Sequence, residues 1–288
     1  HGSTSEAGEV SLEFAYLDYL LQEEINLRAG LLLLPMGFLN ELHEPTVFHG
    51  ARRPEIERLI IPTTWREIGA GIFGEIGPFS YRTYVVNGLD ASGFSASGLR
   101  GGRQKGSLAK ADDFAWVGRL DYTPVTGLTL GGSAYYGNSG QDLEADVATA
   151  IYEGHIEWRW KGLQARALAV HATLDDVRQL NEIRQLTGTR SVGEELQGYY
   201  LELAYDILSL TSVKDQSLTP FIRYEDINTQ NEVPSGYSEN PANDVEVWTF
   251  GISYQPIEEV ILKLDYQNYD NEAGTGSDQV NISLGYVF

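Results

Sequence analysis

Apolar and polar residues alternate with a period of two along most of this chain. In LTLGGSAYYG, Leu128, Leu130, Gly132, Ala134 and Tyr136 share one face, and Thr129, Gly131, Ser133 and Tyr135 share the other. FAWVGRLDY sets Phe114, Trp116, Gly118, Leu120 and Tyr122 against Arg119 and Asp121. YYLELAY and VILKLDY repeat the arrangement with Leu201 and Leu203 against Glu202, and Leu262 and Leu264 against Lys263 and Asp265. Period-two alternation of this kind marks antiparallel strands with one apolar and one polar face. It predicts thirteen strands, near 9–20, 24–34, 66–76, 79–89, 113–123, 126–137, 148–160, 162–172, 195–207, 217–227, 244–255, 258–269 and 278–288.

The connections alternate as well. Short ones fall at 22–24, 77–79, 124–127, 161–162 and 256–259, with 208–217 a longer exception. Long ones fall at 35–65, 90–112, 138–147, 173–194, 228–243 and 270–277. Tight turns at one end and long loops at the other are the pattern of a transmembrane antiparallel up-and-down β-barrel, and strands of about ten residues have the span it needs. Tyr122, Trp158, Trp160, Tyr254 and Tyr266 fall toward strand ends, where interfacial aromatics belong. A soluble β-sandwich also alternates, but it buries one face between two sheets and rarely runs so many hairpins in series.

Composition narrows the picture. The longest apolar run, AGLLLLPMGFL at 29–39, has eleven residues and contains a proline, too short for a membrane helix. The net charge of −21 argues against a nucleic-acid partner, which needs clustered Lys and Arg. With no cysteine, disulfides, thiolate metal sites and Cys nucleophiles are excluded. The 17 Tyr and 31 Gly in a chain of slightly polar average suit a sheet that shows water one face and lipid the other.

The last strand ends VNISLGYVF, and Tyr286 with Phe288 resembles the C-terminal aromatic signal by which bacterial outer-membrane proteins are recognised for insertion. That strand is expected to close the cylinder by pairing with the first, which would leave no free edge. Thirteen strands is an odd number, whereas bacterial single-chain barrels have even numbers. HGSTSEAGE at the front reads as a loop, so the expectation is a barrel whose N-terminal strands precede this sequence.

The run from Ile25 to Gly88 also resembles the phosphate-selective porin (O and P) family. Arg28, Gly30, Pro35 and Gly37 match its R-x-G-x-x-x-x-P-x-G stretch. Arg53 and Pro54 match its R-P element, and Trp65, Arg66 and Gly69 its W-R-x-x-G. FAWVGRLDYTPVTGLTLGGSAYYGN resembles a later strand pair of that family. The resemblance implies a sixteen-stranded barrel and a homotrimer; the barrel pattern, the terminal aromatics and the acidic outer loops imply contact with membrane lipids and lipopolysaccharide and a place in the bacterial outer membrane. The resemblance also puts 35–65 where porins fold a loop inward to narrow the pore. The whole of 1–288 is then one barrel domain.

A channel for passive diffusion of small hydrophilic solutes and ions, anions such as phosphate among them, needs no reaction; its function lies in radius and lining charge. By strand parity the basic lining candidates are Arg28, Arg82, Arg119, Arg159, Arg166, Arg223 and Lys263. The acidic ones are Glu13, Glu67, Glu75, Asp121, Glu153, Glu157, Glu202, Asp206, Glu225 and Asp265. The alternative for each is simple solvation and cross-strand pairing. In the inward loop, Arg52, Arg53 and Arg58, with Arg66 at its return, carry forks suited to carboxylate or phosphate. Glu55 and Glu57 sit among them, so self-pairing, or a short helix in PEIERLI with Pro54 at its first position, are the other readings. The carboxylates favour a general or weakly selective porin over a strict phosphate pore.

The acidic stretches 140–146 and 270–278 are candidates for weak Ca²⁺ binding, although neither has a calcium-loop spacing; no other metal and no cofactor is expected. GLRGGRQKGS at 98–107 lacks the order of a phosphate-binding loop and reads as a mobile outer loop. No G-x-S-x-G occurs, and His155 and His171 lack a nucleophile partner, so an enzyme is not expected. The rival function is a structural or adhesive barrel with a plugged lumen and ligand-binding loops.

Overall fold

A computed structural model describes residues 12–107, 109–213 and 215–287. Thirteen strands form one antiparallel sheet in strict sequence order. They are β1 (Ala15–Gln22), β2 (Ile25–Leu33), β3 (Arg66–Ile76), β4 (Phe79–Asn87), β5 (Phe114–Val125), β6 (Leu128–Asn138) and β7 (Ala148–Trp160). β8 (Leu163–Leu174), β9 (Glu195–Tyr205), β10 (Ser217–Glu232), β11 (Asp244–Ile257), β12 (Val260–Asn271) and β13 (Gln279–Tyr286) complete it. Each expected strand is present, most within one or two residues of its expected bounds at the long-loop end. The clearest departures are β1, which begins at Ala15, and β10, which runs on to Glu232. Two short helices lie in long connections, α1 (Ile56–Leu59) and α2 (Val177–Ile183). No helix among the described residues is long and apolar enough to cross a membrane, which says nothing of a barrel.

One expectation needs correcting. β13 pairs only with β12 and β1 only with β2, so the sheet is open between its first and last strands. Closure onto β1 was inferred from the need to cover an edge, and that need does not choose the partner. Tyr286 faces outward from β13 at 61 % exposure; Phe288, the other half of the insertion signal, lies outside the described residues.

The two faces have opposite chemistry. Phe114, Trp116, Leu120, Leu201, Leu203, Phe250, Leu262, Leu264 and Ile282 all point outward and are exposed. Exposed apolar surface this continuous is far beyond what a soluble monomer carries. Charges collect on the other face: Asp121, Glu153, Arg166, Glu202, Arg223, Glu225, Lys263 and Asp265 are all buried there. With one sheet and no second layer, the inner face is covered by the chain's own long loops. Toward the long-loop end they build an apolar core in which Met36, Ile56, Ile60, Trp65, Phe94 and Leu99 meet wall residues such as Tyr84, Val117, Tyr135 and Tyr200.

Leu264 is 46 % exposed at the centre of β12 and faces outward. If lipid is its solvent, Leu264→Arg should cost ~2–4 kcal/mol of folding free energy in phospholipid, as for a charge at a barrel midplane. Urea titration in vesicles reads this, and a neutral effect would mean that this face meets water.

Candidate functional site: the inward loop and its arginines

The segment 34–65 leaves β2, crosses the interior and returns to β3. Its neck is closed by Asn40. The Asn40 amide donates to Leu34 O and Trp65 O at 2.8 Å each, and its oxygen accepts from Trp65 N at 2.7 Å. Glu57, fully buried, fixes the interior of the loop: Phe38 N and Leu39 N donate to Oε2 at 2.8 Å, and Tyr200 Oη of β9 donates to Oε1 at 2.8 Å. Burial pushes this carboxyl's pKa up, and the hydrogen bonds from Tyr200 and Leu39 oppose that shift. Gly37 has φ +67°, and a Cβ there would lie 2.6 Å from Glu57 Oε2, so the turn admits only glycine without displacing the carboxylate.

Four wall cations hold the loop by its backbone. Arg119 donates to Gly37 O, Arg166 Nη1 to Val47 O at 2.9 Å and Arg223 Nη2 to Arg52 O at 3.5 Å. Lys263 Nζ donates to Phe48 O and Gly50 O and sits 3.5 Å above the Phe48 ring. Loop amides donate in return, Ala51 N to Asp265 at 2.6 Å and Ile56 N to Glu225 at 3.3 Å. One loop touching β5, β8, β9, β10 and β12 requires the sheet to curve around it. Arg119, Arg166, Arg223 and Lys263 are therefore on the inner face, as parity expects, but beneath the loop, where backbone carbonyls have replaced water.

Three of these cations, Arg119, Arg166 and Arg223, are neutralised by carboxylates, whereas Lys263 meets the loop carbonyls. Glu157, Arg166, Glu202 and Arg223 occupy directly opposed positions on β7, β8, β9 and β10. The resulting row alternates in sign, with N–O distances of 2.5, 3.9 and 3.2 Å. Arg223 also pairs with Glu225 at 2.9 Å. Arg82 and Arg119 are directly opposed, a like-charge contact that costs stability. Asp121 accepts from both, at 3.4 and 2.7 Å, and Glu41 pairs with Arg82 at 3.4 Å. His155 lies between Asp121 and Glu153 at 2.9 Å from each, its side chain fully buried. Its reach to β5 depends on Gly131 in the strand between, where a Cβ would stand 2.4 Å from His155 Nε2. This histidine is a wall member beneath Phe38, not a lining group open to solvent. Arg28 is paired with Asp18 at 2.8 Å, and Arg159, at the short-turn end, with Glu157 at 3.0 Å.

The loop arginines behave differently. Arg52 and Arg58 share the single buried carboxylate of Glu55 and keep 39 % and 38 % of their side chains exposed. Arg53 donates only to a carbonyl, His43 O at 3.3 Å. Two further arginines, absent from the candidates by parity, come from the connection 88–113. Arg103 Nη1 donates to Thr63 O at 2.6 Å and Thr64 Oγ1 at 2.7 Å, and Arg100 Nη1 to Thr63 O at 3.2 Å. Among the described residues no carboxylate lies within ion-pairing distance of Arg53, Arg100 or Arg103. Burial, then Arg100 and Arg66, push the Arg103 pKa down to about 10; Arg100 is lowered by burial, Arg58 and Arg53. Arg53, Arg58, Arg66, Arg100 and Arg103 thus form one cationic cluster.

GLRGGRQKGS is not the free outer loop its glycines suggested. Leu99 and Gly102 are buried, Leu99 N donates to Leu59 O at 3.1 Å, and Gln104 is fixed between Gly88 O and Lys110 N. α1 begins at Ile56, two residues beyond Pro54. Among the described residues no group of three or more His, Asp or Glu gathers as a metal site.

Removing a wall cation leaves loop carbonyls buried without donors, at about 1–3 kcal/mol per lost partner. Lys263→Met should therefore raise amide hydrogen exchange across 47–53 by tenfold or more, about 1.4 kcal/mol, while exchange in β12 stays slow. Equal protection in the variant would mean that the loop stands without its wall contacts.

No family model matches the chain. An uncharacterized protein of Aquifex aeolicus (strain VF5) is 38 % identical over 292 residues, covering 98 % of this chain and 67 % of that protein. Among solved structures, a porin refined at 1.8 Å superposes with a TM-score of 0.51 at 14 % identity, over 96 % of this chain and 80 % of the porin. Pseudomonas aeruginosa OccK7 (OpdD) gives 0.51 at 12 %, over 95 % and 67 %. With the strand order, the two-faced sheet and the inward loop, these likenesses make the chain a member of the Aquifex aeolicus protein's family, with the antiparallel β-barrel fold of porins.

Proposed function

We propose that this protein is a bacterial outer-membrane porin, a water-filled channel through which small hydrophilic solutes and ions diffuse passively, with a preference for anions. The observation that carries the proposal is the cationic cluster that the loop 34–65 forms with the connection 88–113. Beneath that loop Arg119, Arg166 and Arg223 are paired with carboxylates, while among the described residues Arg53, Arg100 and Arg103 lie within ion-pairing distance of none. Their guanidiniums are spent on carbonyls or left facing the interior, which suits them to hold phosphate or carboxylate transiently. The 35–65 loop acts as the constriction, with Arg52, Arg53, Arg58 and Arg66 at its edge. Arg28, Arg82, Asp121 and Arg159 belong to the walls of the passage. Membership of the phosphate-selective porin family and a homotrimeric state in contact with lipopolysaccharide belong to the same reading and rest on the sequence motifs. Weak Ca²⁺ binding at the acidic loops remains part of it only as a surface property.

A second reading has its own support. The apolar core packed inside the long-loop half of β3–β10 resembles a plug, which would make the barrel a structural or adhesive element. The passage must then run beside the loop, past β1, β2 and β13, where Gln279 and Asn281 keep partial exposure. Conductance separates the two.

In planar bilayers under a potassium chloride gradient, the reversal potential should favour chloride. Arg100→Glu with Arg103→Glu should shift it toward potassium, because two charges of opposite sign then face the loop. No single-channel current at all would overturn the porin and favour the plugged barrel.

A further inference from the structure

We propose that the outer surface of β7–β9 is a binding site for one anionic phospholipid, its acyl chain lying along β8 and its phosphate held by Lys161. The proposal rests on the membrane reading above but not on conduction. A groove of about 460 Å³ opens over β8, floored by Ala165 and Ala167, walled by Trp158 of β7 and Leu201 and Leu203 of β9, and extending to Tyr224 of β10 and Trp248 of β11. A second cleft of about 480 Å³ lies at the short-turn end of the same strands, between Trp160, Leu163, Tyr205 and Leu210. The two are stacked on one surface. Trp158, Ala165 and Leu203 are opposed in register, and Trp160, Leu163 and Tyr205 form the next outward row. Trp158 and Trp160 stack at 6.3 Å and 13°, giving the track a flat wall.

The far end of the track is built differently from the other tight turns. The connection after β9 is the long exception on this rim. Asp206 Oδ1 accepts from Leu208 N and Leu218 N at 3.0 Å, folding Ile207–Leu210 into a single 3₁₀ turn that leaves Leu210 74 % exposed. This turn lies against Gly162, where a Cβ would stand 2.3 Å from Ser209 Oγ. Beside it, Lys161 takes φ +47° and sets its ammonium 4.8 Å from the Trp160 ring. Among the described residues no carboxylate pairs with Lys161.

An unpaired ammonium at the edge of an apolar track matches one ligand chemistry, a phosphate carrying a hydrocarbon chain. The apolar part continues the lipid-facing band, so hydrocarbon is its natural filling. From Gly162 to Ala167 the strand advances about 16 Å at ~3.3 Å per residue, close to one leaflet's half of a ~30 Å core. Small alanines between Trp158 and the leucines of β9 leave room for a chain.

The full-length protein in phosphatidylcholine vesicles, doped with a few mole per cent of brominated phosphatidylglycerol or brominated phosphatidylcholine, tests this by tryptophan quenching. The anionic probe should bind with about fivefold preference, the ratio a single basic group near a membrane surface supplies. Lys161→Glu should erase the preference, and Ala167→Phe should reduce quenching by both probes. Equal quenching by the two headgroups in the unmodified protein would overturn the site. So would efficient cross-linking between copies through Ala165→Cys, which would place a second protein in the groove. Headgroup preference in a protein that passes no current would support the lipid site and overturn the channel. Absence of quenching by any brominated lipid would remove the membrane reading and the site together.

Discussion

The structure depends on one constraint: a single antiparallel sheet has no second layer, so each strand offers one face to the outside and one to the interior. Alternation with period two then becomes a partition of chemistry. Leu201 and Leu203 are exposed because Tyr200, Glu202 and Ala204 are not. A one-residue slip in β9 would carry Glu202 out among the leucines and strand Arg166 and Arg223 without their shared carboxylate. The ion row across β7–β10 therefore works as a register lock as well as a neutraliser. Its four members are separated along the chain, and only correct pairing of three successive hairpins places them side by side.

That dependence explains what could be read before the fold was known. Strands and turn lengths were legible because alternation is local: Phe114 to Tyr122 declares its two faces within nine residues. The inner-face assignment of Arg119, Arg166, Arg223 and Lys263 followed from the same parity. What they touch did not. Arg166 meets Val47 O and Lys263 meets Gly50 O across separations of 119 and 213 residues, and backbone acceptors carry no sequence signature. Arg100 and Arg103 were hidden for a related reason. Their glycine-rich surroundings suggested mobility, whereas Leu99 and Gln104 are the residues that fix the segment, and neither stands out in a polar loop. Gly131 shows the opposite case, since its meaning lies wholly in what its missing side chain lets His155 reach.

Charge has to be read locally as well. The chain carries −21 overall, which taken alone would suggest a cation-preferring interior. Much of the acid in the wall is committed: Glu157 and Glu202 to arginines, Asp121 to Arg119 and His155, Asp265 to Ala51 N and Asn281. A neutralised wall contributes little field at a distance. Arg53, Arg100 and Arg103 spend their donors on neutral carbonyls and hydroxyls instead, so their charge survives, and in a partly desolvated setting it is screened less than on an open surface. In the proposed channel, the sign experienced by a solute at the loop is then set by a handful of arginines rather than by the total.

The apolar core at the long-loop end follows from the same logic. A flexible loop across a channel would close it unpredictably, so a loop that fixes a constriction has to be held from both sides. Wall cations hold 34–65 from the short-turn side, and Phe94, Leu99 and Tyr135, the last against Trp65 of the loop, hold it from the other. Glu57 joins the two, since its carboxylate ties Phe38 and Leu39 to Tyr200 while its helix neighbours Ile56 and Ile60 enter the core. Packing on one side and ionic hydrogen bonding on the other leave the edge that bears Arg52 and Arg58 as the exposed part of the loop. In the proposed channel this makes the core the support of the constriction, and the room for solute lies along that edge.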